Sequence, residues 1–437
     1  MRIWNKSFVA LVLLFAISVA TIFGQTGHGY DLASLDKNTP ACTDFYQYAN
    51  GGWLSANPIP AAYPAWGVAN ILDEKTRDQL REILEAAAKN TKAPKGSSEQ
   101  KVGDYYATCM DEAKIEAEGL KPLEPEFARI AKIDSQKALQ EEIAHLHSIG
   151  INALFASGST QDFKNSAEVT AEVVQGGLGL PDRDYYTKTD DKSKKIRDEY
   201  TKHVAKMFEL MGDDPTKSSG EAETVTALET KLAEASLTRV ERREPAKLYH
   251  RMTMAQMKDV ATGFDWPAYF QNLGLKTKSD VNVGMPNFFK AMEQWLTATS
   301  LADWQTYLRW NVINANAAAL SSKFVDEDFN FRGKVLSGAT ENLPRWKRCV
   351  AGTDRVLGEA LGEVYVKTAF PPEAKARALA MVRNLELALK SDISTLSWMS
   401  EATRKQATVK LDAFLNKIGY PDKWRDYSAL QLDRSSY

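Results

Sequence analysis

Glu142 and His145, in the run Glu141-Glu-Ile-Ala-His-Leu-His147, stand three residues apart, which puts a carboxylate and an imidazole on one face of a helix. Two such Glu-x-x-His helices, with a glutamate from each of two more, build a di-iron carboxylate site in a bundle. No second Glu-x-x-His occurs in the chain. The motif is therefore read as a helix with a solvated charged face and a packed or surface histidine. Asp326-Glu-Asp-Phe-Asn330 looks like the opening of a calcium loop, but the sixth and twelfth positions hold Phe331 and Ser337 where an EF-hand needs Gly and Glu. It reads as a solvated acidic connection. Gly176 to Gly179 lacks the Gly-Lys-Ser/Thr of a phosphate cradle and the spacing of Gly-x-Gly-x-x-Gly, so these glycines are assigned to turns and close backbone approach. There is no Gly-x-Ser-x-Gly elbow, and Cys42 has no cysteine-protease signature around it. His28, His203 and His250 are isolated in sequence, so the chain shows no complete metal site, and no catalytic, cofactor-binding or metal-ligating residue is assigned.

The elements that would carry these residues are mostly helical. Leu80, Ile83, Leu84 and Ala87 recur at i, i+3, i+4, i+7, which predicts a helix over 73–89. Similar patterns predict helices over 100–114, 135–149 with Ser135 as N-cap, 193–212, 220–236, 255–262, 266–272, 287–300, 301–322, 345–369 and 372–399. Residues 151–157 and 168–175 carry β-branched, alternating residues and read as one small hairpin, the only β element expected. The glycine-rich turn 176–186 follows it. No internal repeat or low-complexity tract is present.

Met1 to Phe23 has a basic start (Arg2, Lys6), an apolar run from Phe8 to Phe23 and small residues for cleavage after Ala20 or Gly24. It reads as a secretory signal, residues 1–24, and the run falls short of the roughly 20 residues of a bilayer span, so no stable membrane span is expected. The expected location is exported, periplasmic or extracellular. A formal charge of −2 and a pI near 6.3 leave no basic footprint, which excludes a nucleic-acid partner. The 437 residues allow two or three domains at about 150 residues each. Three cysteines, Cys42, Cys109 and Cys349, can pair in an oxidising compartment, and the odd one is either free or paired outside the chain.

A series of segments then stands in one order: Cys42-Thr-Asp-Phe-Tyr-Gln-Tyr-Ala-Asn-Gly-Gly-Trp53, Trp53-Leu-Ser-Ala-Asn-Pro-Ile-Pro60, Trp66-Gly67 and Tyr105-Tyr-Ala-Thr-Cys-Met-Asp111. Gly177-Leu-Gly-Leu-Pro-Asp-Arg-Asp-Tyr-Tyr186, Asn342-Leu-Pro-Arg-Trp-Lys-Arg-Cys349 and Gly358-Glu-Ala-Leu-Gly-Glu-Val-Tyr365 follow. Leu396-Ser-Trp-Met-Ser400 and Lys417-Ile-Gly-Tyr-Pro421 end the series. In this order the segments resemble the neprilysin/endothelin-converting enzyme family of zinc metallopeptidases over nearly the whole mature chain.

The resemblance implies a mainly α fold: a large multi-helix lid lobe with a small β-hairpin, plus fragments of a second, catalytic lobe. Residues 25–73 would be the N-terminal strap of the catalytic lobe, 74–404 the lid, and 405–437 the start of a truncated catalytic domain. It implies oligopeptide substrates, and zinc in the full-length enzyme. The His-Glu-x-x-His helix that would bind that zinc is absent from these 437 residues, so the chain alone is expected to be inactive. Cys109 and Cys349 match a family pair that staples the lid, and Cys42 matches a cysteine whose partner lies outside this chain. Asn50 stands where the family often has another cysteine, which implies one bridge fewer. Ala65 and Asp73 occupy the positions nearest to where some members carry carboxylate-binding arginines, which argues against dipeptidyl-carboxypeptidase action. Two other readings remain open: a catalytically inactive peptide-binding helical module, and an unrelated helical solute-binding protein.

Overall fold

Leu84 and Ala87, from the apolar stripe of the first long helix, are buried in the structure, a computed structural model that describes residues 31–275 and 280–437. The expected signal segment, 1–24, lies outside the described residues. The chain divides into two compact units, 1–69 and 70–437.

The first unit contains α1 (Phe45–Ala56), capped by the Asp44 carboxylate on Gln47 N. α2 (Val68–Lys89) leads into the second unit and begins five residues before the predicted start. The predicted 100–114 helix is two helices, α3 (Ser98–Met110) and α4 (Glu112–Glu118). Asp111 breaks it: its backbone leaves the helical region and its carboxylate caps α4 through Lys114 N. Short α5 (Glu124–Ile130) and α6 (Gln136–Ser148) precede the sheet.

The hairpin exists as β1 (Phe155–Gln161) and β2 (Val169–Gln175), antiparallel with Phe155 opposite Gln175. It is half of a four-stranded sheet of order β1-β2-β4-β3, against the expectation of a lone hairpin. β3 (Arg251–Met252) and β4 (Val281–Val283) are too short to carry a periodic signal. A buried amide holds them: Asn282 Nδ2 donates to Glu172 Oε1 and Leu248 O, while its Oδ1 accepts from His250 N (2.7, 3.0 and 2.8 Å).

Around the sheet stand α7 (Asp191–Met211), α8 (Pro215–Ala235), α9 (Met254–Val260), α10 (Trp266–Asn272), α11 (Pro286–Ala298) and α12 (Leu301–Asn316). The predicted 301–322 helix thus ends early, and 326–330 is no connection. It is the end of α13 (Ser322–Asp328) and the start of a π-helical segment, Phe329–Ser337. Gly338, in the left-handed region at φ 81°, terminates that segment. α14 (Arg345–Ala369), α15 (Pro372–Thr395) and α16 (Glu401–Asp412) complete a mainly α architecture.

Two cores result. In the larger, Phe155 sits amid the rings of His147, Phe264, Trp266, Tyr269 and Phe289, at centroid distances of 4.8 to 5.7 Å. The smaller joins α2, α3 and α14 through Leu84, Val102, Tyr106, Val350 and Leu361. Gly103 permits the α2–α3 approach, since a Cβ there would lie 2.6 Å from the Ala87 main chain. Cys109 and Cys349 are joined by a disulfide inside this core. Tyr427, Leu432 and Tyr437 pack against it, and the buried Lys101 ammonium donates to Gly96 O and Tyr427 O (2.7 and 2.6 Å).

The disulfide spans a sequence separation of 240 residues. Closing so long a loop restricts the unfolded chain by on the order of 5 kcal/mol in the chain-entropy account. Cys109→Ser with Cys349→Ser is expected to lower urea-unfolding stability by that order. A loss under about 1 kcal/mol would show that the loop is already closed in the unfolded ensemble.

Candidate functional site

α6 begins at the Ser135 cap and turns Leu139, Ile143 and Leu146 into the core, which leaves Glu142 and His145 on the side facing α5. Glu142 is 4% exposed, and Arg129 of α5 bonds its Oε2 at 3.0 Å. Its Oε1 is buried with no hydrogen-bond partner among the described residues, and burial pushes its pKa up against the Arg129 charge. His145 Nε2 donates to Glu126 Oε2 at 2.7 Å. Each of Glu126, Glu142 and His145 brings one ligand atom within 4.8 Å of the others, the one such grouping among the described residues. The expected solvated face is thus a half-buried ion-pair cluster, because α5 supplies Glu126 and Arg129 by tertiary contact.

The donor set does not fit a hydrolytic zinc centre. One imidazole is present, it is engaged by a carboxylate, and a guanidinium occupies the second one. No other histidine among the described residues joins it. His147 donates from Nε2 to Ala153 O and accepts at Nδ1 from Tyr269 OH (2.8 and 2.6 Å), and burial drives its pKa down to about 4. His203 donates from Nδ1 to Glu327 Oε1 at 2.8 Å and stacks on Phe331.

The glycine-rich segment proves to be pinned rather than open. Gly177 has φ 75°, and a Cβ there would meet the Tyr307 hydroxyl and the Leu154 backbone at 2.5 and 2.8 Å. The Tyr307 hydroxyl donates to Gly177 O (2.7 Å) and accepts from Leu154 N (3.0 Å), holding Leu154 at φ 68°, a conformation side chains resist. Beneath it, Glu229 of α8 is 1% exposed. The hydroxyls of Tyr186 and Tyr200 donate to its Oε2 at 2.6 and 2.7 Å, and Trp310 Nε1 donates to its Oε1 at 3.1 Å. Gly179 N–H donates to it as well. Burial nevertheless outweighs these donors and raises the pKa to about 7.

Sequence reasoning missed Glu229. The available signal was position: it shares the core-facing row of α8 with Val225 and Leu232, where an acidic side chain needs internal partners.

None of these groups forms a catalytic constellation, and the sequence as a whole decides the assignment. The peptidase family M13 pattern matches residues 41–421. The chain belongs to peptidase family M13. Human endothelin-converting enzyme 1 is 31% identical over 452 residues, covering 96% of this chain and 58% of that protein. Neprilysin-3 of Drosophila melanogaster is 30% identical, covering 92% and 53%. The zinc metalloprotease ZMP1 of Mycobacterium tuberculosis, in complex with an inhibitor, superimposes with a TM-score of 0.87 at 34% identity, over 92% of this chain and 61% of that one. PEPO from Lactobacillus rhamnosis, at 19% identity and a TM-score of 0.80, shares the fold. The M13 chain thus spans between half and two thirds of the length of these relatives. Among the described residues no helix is long and apolar enough to cross a membrane.

Glu229 makes this M13 chain's stability depend on pH with a definite sign. Its folded pKa of about 7 lies above the 4.5 of an unfolded glutamate, so its contribution is complete below 4.5 and is lost as pH rises through 7. His147, with a folded pKa depressed to about 4, acts oppositely: its contribution is present above 6.5 and is lost as pH falls towards 4. His147 is common to wild type and Glu229→Gln, so their difference isolates Glu229. Between pH 4.5 and 8 the wild type is expected to lose up to about 3 kcal/mol relative to Glu229→Gln, read by urea unfolding at each pH. Parallel pH profiles would refute the assignment.

Proposed function

We propose that this chain forms the lid and strap of an exported zinc-dependent metalloendopeptidase that hydrolyses oligopeptides. One observation carries the reading: the family match extends over 41–421, yet the 437 residues contain no His-Glu-x-x-His. In such an enzyme zinc polarises the peptide carbonyl and supplies an activated water. Its ligands would lie outside these residues, which would instead enclose and admit the peptide.

Within that reading, 1–24 is a signal peptide, 25–73 the strap, 74–404 the lid and 405–437 the start of the catalytic lobe. The division of the chain after Ala69 supports the strap boundary, four residues short of 73. The Cys109–Cys349 disulfide supports a periplasmic or extracellular location, since such bonds persist in oxidising compartments. Cys42, exposed and unpaired, supports a partner outside the chain. α15 exposes Met381, Leu385 and Leu389 at helical spacing, an apolar row that a further layer of protein would cover.

Reading the gene beyond the codon for Tyr437 tests the proposal, with purified protein as its complement. An in-frame His-Glu-x-x-His is expected downstream. The 437-residue chain is expected to hold no stoichiometric zinc and to leave a quenched fluorescent oligopeptide uncut, whereas the extended chain cuts it in a chelator-sensitive way. A stop codon directly after Tyr437 would favour the inactive peptide-binding module. Chelator-sensitive cleavage by the 437-residue chain would refute both.

A further inference from the structure

Among the described residues β1 lies at one end of the sheet, with a hydrogen-bonded neighbour on one side only. The register tells which of its backbone groups point away. Asp162 N donates to Glu168 O at 3.0 Å, just beyond the ladder that pairs Gln161 with Val169. In an antiparallel pair, residues alternate between bonding their partner and facing outward. In phase with Asp162, residues Thr160, Gly158 and Ala156 bond β2. The N–H and C=O of Ser157 and Ser159 therefore face outward. The far side of β2 agrees: Val173 O accepts from Gly284 N at 2.9 Å, next to β4.

Among the described residues nothing bonds the main-chain N–H or C=O of Ser157 or Ser159. Native sheets blunt such edges with lysine, proline, a bulge or a covering loop. The stretch Ala156-Ser-Gly-Ser-Thr160 carries none of these side chains, and a Cβ on Gly158 would meet open space.

The side chains of the same two serines line a cavity of about 420 Å³. Ala171, Met254, Phe270 and Val281 form its apolar walls, and the exposed Val169 stands at its mouth. The unpaired backbone and the cavity therefore adjoin along one strand. A chain laid beside β1 would turn alternate side chains to the face on which the cavity lies.

We propose that the β1 edge is a docking site for an extended peptide, which adds as a strand through Ser157 and Ser159 and places an apolar side chain in the adjoining cavity. Main-chain bonds supply affinity without regard to sequence, and the cavity selects an apolar residue. The site is built from β1, β2, β4 and the helices α9 and α10, and it stands whether or not the chain belongs to an active peptidase.

The test uses the 437-residue chain and a fluorescein-labelled heptapeptide of alternating threonine and leucine, read by anisotropy. Saturable one-site binding is expected. Ser159→Pro deletes an outward N–H without touching the β2 ladder, and Ala171→Phe fills the cavity. Each is expected to raise Kd at least tenfold, with the circular dichroism spectrum unchanged. An all-threonine peptide should lose about as much. Peptides N-methylated on alternate residues, in either phase, probe the edge without any mutation, and one phase is expected not to bind. Absence of binding to the wild type would overturn the proposal. So would binding indifferent to both Ser159→Pro and N-methylation, which would mean that the cavity takes leucine alone. Dimerisation abolished by Ser159→Pro, with no peptide bound, would instead assign the edge to a second copy of the chain.

Discussion

A carboxylate withdrawn from water must find donors or keep its proton, and Glu229 does some of each. Its donors come from the glycine-rich segment, from Tyr186 at that segment's end, from Tyr200 on α7 and from Trp310 on α12. One side chain of α8 therefore fixes where two other helices and an irregular stretch stand. Tyr307 continues the network, tying Gly177 to Leu154 at the entrance to β1. With β1 placed, Phe155 enters the ring of aromatic side chains at the centre of the larger core. Each donor removed would leave this carboxylate less compensated in a site closed to water, which costs more than the bond contributes when made.

The smaller core answers to a different constraint, the length of chain between its parts. α3 and α14 are far apart in sequence, and the Cys109–Cys349 bond removes the entropy of that separation from the unfolded state. Gly103 then permits backbone contact with α2, and Lys101 fastens the 427–437 stretch through main-chain carbonyls. Like Glu229, Lys101 is a buried polar group met by fixed partners, and each specifies geometry in its core rather than adding apolar area.

The long helices were legible because one face of each is apolar over many turns. α14 covers 345–369 as its periodicity indicates, with a kink at Leu357 (φ −123°, ψ 28°) that the periodicity does not show. Legibility failed where a local choice was decided by a partner distant in sequence. Asp111 ends α3 by capping α4, which the apolar spacing around it does not reveal. The acidic run at 326–330 looks solvated in isolation, yet it is helical, and Glu327 bonds His203 of α7. Strands β3 and β4 have too few residues for any period, and Asn282 holds them by bonds that only the folded chain assembles.

By itself the sequence determined the family, through ordered segments from Cys42 to Pro421, and it determined that no His-Glu-x-x-His helix lies within these residues. It also marked Glu142 and His145 as neighbours, because i, i+3 spacing is a local property of any helix. Tertiary structure alone decided their fate, since Glu126 and Arg129 arrive from α5 and turn a possible ligand pair into ion pairs. It likewise decided that Glu229 is buried and that one edge of β1 is left unpaired among the described residues. Burial and strand order are set by what packs alongside, and no spacing along the chain encodes that.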